Sequence, residues 1–437
     1  MVGDMKRVCV VGMGRVGLTL ATTLASIGFE VLGTEKDSGI VAGLREGRPP
    51  FFERGLERQL KKCLNRSLVV QGQITSDHYD AYIICVGTPI DKRSGKALLE
   101  PLVSATLEVG KALHAGALVV VRSTVPAGAT RRIVLPTLKR WQEDFYLACC
   151  PERTVEGQAL TELRQLPQII GGVNEESVER AVQLFSRVTA TTVRVAALEA
   201  AEMTKLIDNT YRDIHFAFAN EIALLAEVLG LDGCEVIRAA NLGYPRNNIP
   251  VPGFVGGTCL SKDPHILIES AAAAGCEVKL ASVARSINAS LPLYIGEKLK
   301  KWLASVGKRL EDSKILIAGV AFKGQPDNDD VRDSPAAALA SYLMDSNGGH
   351  NICGHDFVVP ASEMRKIKIE PCSLEDGFRG ADAVVFANNH PAYYQLDIYS
   401  LASLMNKPGV IADAWHIFDP NDMKDLPGII YGGLGIA

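Results

Sequence analysis

The sequence predicts an α/β protein with a Rossmann-type parallel sheet at its N-terminus, a central all-helical domain containing one long helix, and a second Rossmann-like α/β domain at its C-terminus. Three observations support this prediction. A glycine motif follows the first β-branched segment, residues 198–229 keep a helical period without glycine or proline, and strand–helix alternation restarts near Ser313. At 437 residues the chain is also too long for one ordinary core. The predicted domain boundaries are 1–197, 198–305 and 306–437.

The N-terminal domain is predicted from short apolar segments that alternate with helical ones. Lys6–Val11 reads as a β-branched strand, an Ala/Leu-rich helix runs from Leu18, and a second strand over 29–33 ends close to Glu35. Further strands are predicted at 81–86, 118–122, 145–149 and 168–171. This alternation is typical of a parallel, doubly wound sheet.

The middle of the chain is predicted to be helical and to form a subunit interface. Residues 198–229 would make one helix of about nine turns, and more helix follows after a loop over 241–264. Its apolar residues exceed what one face of a monomer needs, which predicts a homodimer or a dimer of dimers. They are Leu206, Ile214, Phe218, Ile222 and Leu225. The alternative is that they pack only inside their own domain.

The C-terminal domain is predicted from a second series of strands. They lie at 314–320, 351–354, 383–386 and 409–412, and no glycine fingerprint accompanies them. This part is therefore expected to repeat the α/β architecture without a second dinucleotide motif.

Composition and charge exclude several classes of partner. The formal net charge of -4 gives no basic field for nucleic acid or an anionic membrane, and no apolar run approaches the roughly 20 residues that span a bilayer. The apolar run Val8–Val11 leads straight into a glycine motif, so no signal peptide and a cytoplasmic location are expected. Ten cysteines and eight histidines are scattered without C-x-x-C or zinc-ligand spacing. Reduced thiols and no metal cofactor are therefore expected.

The segment Gly12-Met13-Gly14-Arg15-Val16-Gly17 lies between a predicted strand and a predicted helix, the context that a dinucleotide fingerprint requires. The first glycine makes the turn, the second leaves room for the pyrophosphate, and the third lets helix and strand pack closely. Glu35 would accept hydrogen bonds from the ribose hydroxyls and repel the 2′-phosphate of NADP. The motif therefore predicts NAD, with a flavin or a methyl donor as the alternative.

A candidate nucleophile lies in the segment 253–264, which reads Gly-Phe-Val-Gly-Gly-Thr-Cys-Leu-Ser-Lys-Asp-Pro. Adjacent glycines let backbone approach a ligand closely. Cys259 follows them, with Lys262 and Asp263 just beyond. A thiolate favoured by a nearby positive charge attacks carbonyl carbon well, whereas a buried structural cysteine is the alternative.

Other candidate site residues lie on the long helix and after predicted strands. Lys205 and Asn209 are four residues apart and share a helix face, so an amine and an amide point the same way. Glu152, in Pro151-Glu152-Arg153, follows a strand at the sheet edge where such enzymes gather ligands. Gly87-Thr88-Pro89 and Ser123-Thr124-Val125-Pro126 offer hydroxyls and amides at the same edge, although plain turn chemistry would also explain them.

Together these segments resemble the UDP-glucose/GDP-mannose dehydrogenase family over nearly the whole chain. Besides the motifs above, the resemblance includes Ala321-Phe322-Lys323 and Asp330-Val331-Arg332-Asp333-Ser334-Pro335. It implies a four-electron oxidation of the C6 hydroxyl of a nucleotide-linked hexose to a carboxylate, using two NAD⁺. Cys259 would capture the aldehyde as a thiohemiacetal that becomes a thioester. Lys205 and Asn209 would stabilise the oxyanion, Asp263 and Glu152 would handle water and protons, and Thr124 would help to hold that water.

The resemblance also implies two sets of binding residues. Those for the cofactor are Gly12, Gly14, Arg15, Val16, Gly17, Glu35, Val86, Gly87, Thr88, Pro89, Ser123, Thr124, Glu156 and Arg332. Those for the nucleotide sugar are Glu152, Arg153, Lys205, Asn209, Arg246, Gly253, Gly256, Phe322 and Lys323. Arg246 would reach the diphosphate from a neighbouring subunit, and basic side chains suit that group in an acidic protein.

The sugar is predicted from two short segments. Pro-Glu followed by Arg153, and the stretch 243–250, resemble the branch that acts on UDP-N-acetylhexosamines such as UDP-ManNAc or UDP-GlcNAc. Glu156-Gly157 matches glucose-type members, so UDP-glucose is the alternative substrate. Many members have an arginine where this chain has Asp413-Ala414-Trp415-His416, and which of Trp415 and His416 replaces it is left open. A two-electron β-hydroxyacid dehydrogenase using Lys205 alone, or a non-enzymatic nucleotide-sugar sensor, is the alternative function.

Overall fold

The computed structural model describes residues 5–75, 77–347 and 351–436, which pack as two compact units. The first unit comprises Met1–Asn209 with His265–Val278, and the second comprises Thr210–Pro264 with Lys279–Ala437. The predicted division at 1–197, 198–305 and 306–437 stays a prediction.

The first unit is built on eight strands and seven complete helices within the part of the chain that the structure describes. The strands are β1 Arg7–Val11, β2 Glu30–Thr34, β3 Leu68–Gln71, β4 Ala81–Ile84, β5 Ala117–Val121, β6 Phe145–Cys149, β7 Gln168–Gly172 and β8 Thr192–Val195. The helices are α1 Arg15–Ser26, α2 Ser38–Arg45, α3 Leu56–Cys63, α4 Glu100–Ala112, α5 Leu135–Leu138, α6 Ala159–Gln165 and α7 Glu175–Phe185. A π-helical turn, Thr130–Val134, precedes α5, and α8, Leu198–Val228, begins in this unit.

These strands form one sheet in the order β3-β2-β1-β4-β5-β6-β7-β8. Because successive side chains of a strand point to opposite faces, Val8 and Val10 of β1 pack in one apolar cluster and Cys9 and Val11 in another. Helices therefore cover both faces, as predicted for a doubly wound sheet. The reversal of strand order between β1 and β4 leaves a crevice at the carboxyl ends of these strands, where ligands bind in such sheets.

The predicted parallel sheet is confirmed, and it contains one antiparallel pair. Strands β6 and β7 are antiparallel, with Ala148 opposite Gly172, whereas the other pairs of this sheet are parallel. The edge strands β3 and β8 were not predicted from the sequence. Strand β8 reads Thr-Val-Arg-Val, and its Val193 is 39% exposed, so its sequence gives little indication of a buried strand.

The second unit contains the rest of α8, which confirms the predicted long helix, and a second sheet. Its further helices are α9 Gly233–Asn241, α10 Gly257–Ala273, α11 Lys279–Ser305, α12 Pro335–Asn347, α13 Ala361–Lys366, α14 Leu374–Phe378, α15 Ile398–Ser403 and α16 Pro420–Met423, with 3₁₀ turns at Leu310–Asp312 and Pro391–Gln395; the last part of α10 lies in the first unit. The strands are β9 Ile315–Ala318, β10 Ile352–His355, β11 Glu370–Pro371, β12 Ala383–Phe386, β13 Gly409–Asp413 and β14 Ile429–Gly433. They pair in parallel in the order β11-β10-β9-β12-β13-β14, as predicted for the second Rossmann-like domain.

The predicted loop over 241–264 was too long, because α10 begins at Gly257 and runs through Pro264. A proline inside a helix lacks the N–H that would bond to the carbonyl four residues earlier. Here that carbonyl, on Leu260, accepts a hydrogen bond from Nη1 of Arg285 at 2.8 Å. The arginine replaces the missing donor, so the helix continues where the sequence indicated a break.

Candidate active site

The glycine motif forms the turn that the sequence predicted between β1 and α1. Gly12 has a φ of 93°, and a Cβ there would lie 3.0 Å from the carbonyl oxygen of Cys85. Gly14 is the N-cap of α1 and has no heavy atom within 4 Å of the place its Cβ would take. The first turn of α1 therefore presents backbone N–H groups to an open space, the arrangement that binds a phosphate.

A cleft of about 280 Å³ lies beside this turn. Its lining includes predicted cofactor residues from three places in the first unit: Gly12, Gly14, Glu35, Val86 and Gly87. The backbone holds the Glu35 carboxylate in place, because the N–H groups of Met13 and Lys36 donate to it at 3.0 and 2.8 Å. A negative charge is thus fixed in the cleft wall, as discrimination against a 2′-phosphate requires.

The other predicted cofactor residues of the first unit lie near the ends of β4 and β5, on α1, or, for Glu156, between β6 and α6. Ser123 donates to the carbonyl oxygen of Val86 at 2.7 Å, which joins the two strand ends. The guanidinium of Arg15 lies 3.6 Å from the Glu156 carboxylate, so the structure brings these two predicted residues together. The remaining members differ in exposure: Val16 and Thr124 are half-buried, Gly17 and Thr88 buried, and Pro89 exposed.

Glu152 is 6% exposed and forms a buried ion pair that the sequence analysis missed. Nη2 and Nε of Arg122 donate to its Oε2 at 2.5 and 3.1 Å, and the N–H groups of Arg153 and Thr154 donate to its Oε1. Arg122 is only 2% exposed. The signal for this pair was a charged residue directly after the apolar strand β5.

The electrostatics of this pair decide the protonation state of Glu152. Burial by itself raises its pKa, but Arg122, the Thr154 N–H and Lys205 together hold the pKa of Glu152 below its usual range. Glu152 is therefore a carboxylate at neutral pH. Such a group orients water and stabilises positive charge better than it removes a proton.

Lys205 and Asn209 are 7% and 4% exposed, so the face of α8 that they share is buried. This burial excludes the interpretation of Lys205 as a solvated lysine on the helix surface. Arg153, the predicted sugar-binding residue, donates from Nε to Asp208 of the same helix at 2.7 Å. The structure therefore gathers Glu152, Arg153, Lys205 and Asn209 at one place in the first unit.

Cys259 is half-buried and occupies the first turn of α10, where a helix N-terminus favours negative charge on sulfur. Asp263 lies four residues further along the helix, is fully buried, and accepts a hydrogen bond from Lys262. The second unit thus places a thiol, a carboxylate and an ammonium group on adjacent turns of one helix.

The glycines before Cys259 are required by packing within the second unit. A Cβ on Gly253 would lie 2.6 Å from the Trp415 ring, and one on Gly256 would lie 2.6 Å from the carbonyl oxygen of Asp333. Gly257 has a φ of 81° and faces the ring of Phe322. These contacts explain the glycines without a ligand, so the predicted substrate contacts of Gly253 and Gly256 stay predictions.

A buried polar network supports the segment that leads into α10, and the sequence analysis did not find it. Asn220 of α8 both donates to and accepts from the backbone of Gly253, at 3.1 and 2.8 Å. Asn288 of α11 bonds to Asn220 at 2.9 Å and to Asp213 at 2.9 Å, and Arg285 bonds to Asp213 at 2.7 Å. This network fixes both ends of the Cys259 segment, at Gly253 and at Leu260.

The remaining predicted residues lie in the second unit. Arg332 is paired with Asp330 through two bonds of 2.9 and 2.6 Å, and Lys323 lies over the Phe322 ring at 5.4 Å. Arg246 is exposed and lies over the Tyr244 ring, and its role in a neighbouring subunit stays a prediction. Trp415 is 7% exposed and donates to the carbonyl oxygen of Ala387 at 3.2 Å.

Five cysteines of the first unit are buried, and burial raises the pKa of four of them. Desolvation raises the pKa of Cys85 and Cys150 to about 12 and raises those of Cys9 and Cys149 further. They remain protonated at neutral pH and are poor nucleophiles. Of the chain's ten thiols, Cys259 differs from these four in lying half-buried at a helix N-terminus.

The cleft of the first unit fits a dinucleotide. The Gly14 position is open, α1 has no side-chain N-cap, and the Thr34 hydroxyl in the cleft wall is buried without a hydrogen-bond partner among the described residues. The fold and this site together define a dinucleotide-dependent dehydrogenase with a second α/β domain.

Comparison with known proteins identifies the family. Three domain models of the UDP-glucose/GDP-mannose dehydrogenase family match the chain: the NAD binding domain at residues 6–189, the central domain at 199–290 and the UDP binding domain at 316–420. The chain belongs to this family of NAD-dependent nucleotide-sugar dehydrogenases. The predicted cofactor NAD and the predicted family are confirmed.

Two solved structures and one sequence illustrate the relationship. UDP-N-acetyl-D-mannosamine dehydrogenase of Methanocaldococcus jannaschii is 35% identical over 93% of this chain and 90% of its own. The structure of UDP-D-ManNAc dehydrogenase from Pyrococcus horikoshii aligns with a TM-score of 0.88 at 32% identity, covering 98% of this chain and 99% of that one. A UDP-glucose dehydrogenase from Pyrobaculum islandicum aligns with a TM-score of 0.87 at 28% identity, covering 100% and 99%.

Within the described ranges, none of the helices combines the length and the apolarity needed to cross a bilayer.

Proposed function

We propose that this protein is an NAD-dependent UDP-N-acetylhexosamine 6-dehydrogenase that acts on UDP-ManNAc or UDP-GlcNAc in the cytoplasm. It would oxidise the C6 hydroxyl to a carboxylate in four electrons. The relatives named as UDP-N-acetyl-D-mannosamine dehydrogenases support the choice of sugar. UDP-glucose is the second candidate, because the Pyrobaculum islandicum enzyme has nearly the same TM-score.

The observation that supports four electrons is the position of Cys259 at the start of α10. A two-electron alcohol oxidation needs no nucleophile, since the alcohol carbon already carries the hydride. An aldehyde donates hydride poorly until a nucleophile makes its carbon tetrahedral. A half-buried thiol in a first helical turn supplies that nucleophile.

The cofactor supplies one kind of chemistry: each NAD⁺, when bound, accepts a hydride from C6, first from the alcohol and then from the thiol adduct. The sulfur of Cys259 forms a bond to the aldehyde carbon and gives a thiohemiacetal, whose oxidation leaves a thioester. Water then attacks the carbonyl carbon, the carbon–sulfur bond breaks, and the uronic acid and the thiol result. Asp263, buried on the same helix, is proposed to handle the protons of these steps.

The first unit contributes charge and water control to the same reaction in this proposal. Lys205 and Asn209 would stabilise the oxyanion that forms at each tetrahedral step, since both are buried and share a helix face. Glu152 is ionised, with a pKa held below its usual range chiefly by Arg122 against the effect of burial. It would therefore orient the attacking water, with Thr124, and leave proton removal to other groups.

The binding residues are assigned in the same way. Arg15, Glu156 and the residues lining the cleft would hold the dinucleotide, together with Arg332. Arg153, Lys323 and Phe322 would bind the nucleotide sugar. The UDP binding domain match at residues 316–420 supports the last two.

The test is the number of NADH formed per substrate. With limiting UDP-ManNAc or UDP-GlcNAc we expect two NADH and one uronic acid per molecule, identified by mass spectrometry. One NADH per substrate would support the two-electron alternative. Faster turnover of UDP-glucose than of either N-acetylhexosamine would move the assignment to UDP-glucose 6-dehydrogenase, and no turnover of any nucleotide sugar would favour a sensor.

We also propose a homodimer or dimer of dimers formed through α8. Apolar side chains of this helix are exposed at spacings of four and seven residues: Met203 40%, Ile207 49%, Tyr211 57%, Phe218 49% and Leu225 54%. Leu206 is buried, whereas Ile214 and Ile222 are half-buried, so the predicted set divides between the core and this exposed stripe. A second copy would cover such a stripe.

A further inference from the structure

Three side chains with metal-ligand atoms meet in the second unit, away from Cys259 in the chain. A carboxylate oxygen of Asp232, Sγ of Cys234 and a ring nitrogen of His416 all lie within 4.8 Å of one another. No metal was expected from the sequence, because the histidines and cysteines lack zinc-ligand spacing along the chain. The fold instead joins the start of α9 to the segment after β13.

Asp232 and Cys234 are positioned by the beginning of α9. Asp232 is the N-cap, and its Oδ1 accepts the N–H of Glu235 at 2.9 Å, which fixes the carboxylate and leaves its other oxygen for a ligand. Cys234 is the second residue of the helix and is half-buried. Burial and the neighbouring Asp232 raise the pKa of the Cys234 thiol to about 12, so its proton would leave only as an ion binds.

His416 is positioned by a turn built around a buried carboxylate. Asp413 is fully buried and accepts the N–H groups of Trp415, Ile417 and Phe418 at 2.9, 2.6 and 3.2 Å. The turn puts His416 in the left-handed region, with φ at 50°, which costs energy for a residue with a side chain. The surrounding hydrogen bonds therefore impose the direction of this imidazole.

The hydrogen bonding of His416 suits a metal ligand. Its Nε2 lies 2.6 Å from the carbonyl oxygen of Leu434. Since a carbonyl only accepts, Nε2 carries the hydrogen and Nδ1 has the free lone pair in the neutral ring. Metal-binding histidines typically donate their other N–H to a carbonyl or carboxylate in this way.

We propose that Asp232, Cys234 and His416 form a site for a divalent transition-metal ion of borderline softness, with Zn²⁺ as the reference ion. The set combines oxygen, sulfur and nitrogen, which zinc accepts and which Mg²⁺ or Ca²⁺ does not favour. An ionised thiol and carboxylate would neutralise the two charges of the ion. Zinc bonds of about 2.0–2.3 Å place tetrahedral ligand atoms roughly 3.3–3.8 Å apart, so closure needs side-chain movements of about 1 Å.

The ion would tie together segments that already meet beside it. The N–H of Gly233 donates to the carbonyl oxygen of Gly435 at 2.9 Å, and Lys298 of α11 donates to that of Gly433 at 2.7 Å. Binding at Asp232, Cys234 and His416 would add a link from α9 to the turn after β13. The site is therefore expected to be structural and to stabilise the second unit, with water completing the coordination.

The experiment measures Zn²⁺ and Co²⁺ binding to the full chain after chelator treatment. Cys259→Ser is the reference background, because the proposed nucleophile is itself a thiol that binds metals. We expect one Zn²⁺ per chain by calorimetry, a Co²⁺ spectrum with a thiolate charge-transfer band, and a higher unfolding temperature with Zn²⁺. Adding Cys234→Ser should abolish the band and weaken binding about 100-fold or more, beyond what loss of an outer-shell partner causes.

Two further variants separate ligation from folding. Asp232→Asn keeps a good N-cap but replaces the charged ligand, so it should weaken Zn²⁺ binding while leaving the metal-free unfolding temperature nearly unchanged. Cys276→Ser removes an exposed thiol elsewhere and should leave binding intact. Binding that is insensitive to both Cys234→Ser and His416→Asn, or the absence of a Zn²⁺ site in the Cys259→Ser background, would overturn the proposal.

Discussion

Replacing Arg122 by leucine should destabilise the first unit more than replacing an exposed charged residue would. Arg122 and Glu152 are 2% and 6% exposed, and their closest atoms are 2.5 Å apart, so the substitution leaves a buried carboxylate without its cation. Removing one partner of such a pair costs about 3–5 kcal/mol. At about 2–4 °C per kcal/mol for a unit of this size, the unfolding temperature should fall by roughly 6–20 °C.

Two further variants identify the cause of that loss. Arg122→Leu/Glu152→Gln removes the charge but keeps an oxygen for the N–H groups of Arg153 and Thr154, so it should be more stable than Arg122→Leu by at least about 2 kcal/mol. Arg131→Leu breaks an exposed pair with Glu199 and should cost at most about 1 kcal/mol. Thermal unfolding followed by circular dichroism measures all three. A double variant no more stable than Arg122→Leu would refute the reasoning.

The same pair predicts a dependence on pH with a definite sign. In the unaltered protein the pKa of Glu152 is depressed, so its contribution is present above the ordinary carboxyl range and is lost as the pH falls through its folded pKa. In Arg122→Leu the buried carboxyl loses its closest cation, so burial raises its pKa against the smaller effect of Lys205, and stability is lost as the pH rises. The difference in unfolding temperature between the two proteins should therefore widen from pH 5 to pH 8.

Four other predictions concern activity and assembly. Cys259→Ser should impair the second oxidation most, measured as NADH per substrate in a single turnover; turnover to uronic acid at the unaltered rate would exclude Cys259 as the nucleophile. Lys205→Ala should lower kcat by about 10² to 10³ with little change in KM, and Asn209→Ala should show a milder loss; a change in KM alone would make Lys205 a binding residue. Glu35→Ser should reduce the preference for NAD⁺ over NADP⁺ in kcat/KM, and an unaltered protein using both equally would contradict the role of Glu35. Phe218→Asp should yield monomers in sedimentation, whereas monomers of the unaltered protein with full activity would refute the interface.

Most strands and the cofactor turn were predictable because their signals are local. The residues of β1, the glycine motif and Glu35 lie within a single βαβ segment, and each has one structural reason for its identity. The long helix was predicted to within one residue at its end because 31 residues keep the same period. Elements whose sequence pattern lies within a single segment were therefore predicted correctly.

The elements that were missed depend on residues distant in the chain. In the sequence Arg122 stands at the end of a predicted strand, and only the fold shows that it pairs with Glu152. Asp213 pairs with Arg285, which lies 72 residues further along the chain. The start of α10 was misplaced because Gly256, Gly257 and Pro264 indicate a loop. The hydrogen bond from Arg285 to the Leu260 carbonyl, which lets the helix continue through Pro264, is visible only in the structure. The antiparallel pairing of β7 likewise leaves no mark on its own sequence, since a strand buried on both faces looks the same in either direction.

Four of the five buried thiols of the first unit have a practical consequence for chemical labelling. Cys9, Cys85, Cys149 and Cys150 are at most 8% exposed, and their thiols are protonated at neutral pH. An alkylating reagent in solution should therefore not modify them in the folded protein. Cys276 is exposed and Cys259 half-buried, so after Cys276→Ser the early modification should report largely on accessible positions such as Cys259. The slower modification of these four thiols would then measure the rate at which the first unit opens. One reagent would thus report both the accessibility of exposed thiols and the opening of the sheet.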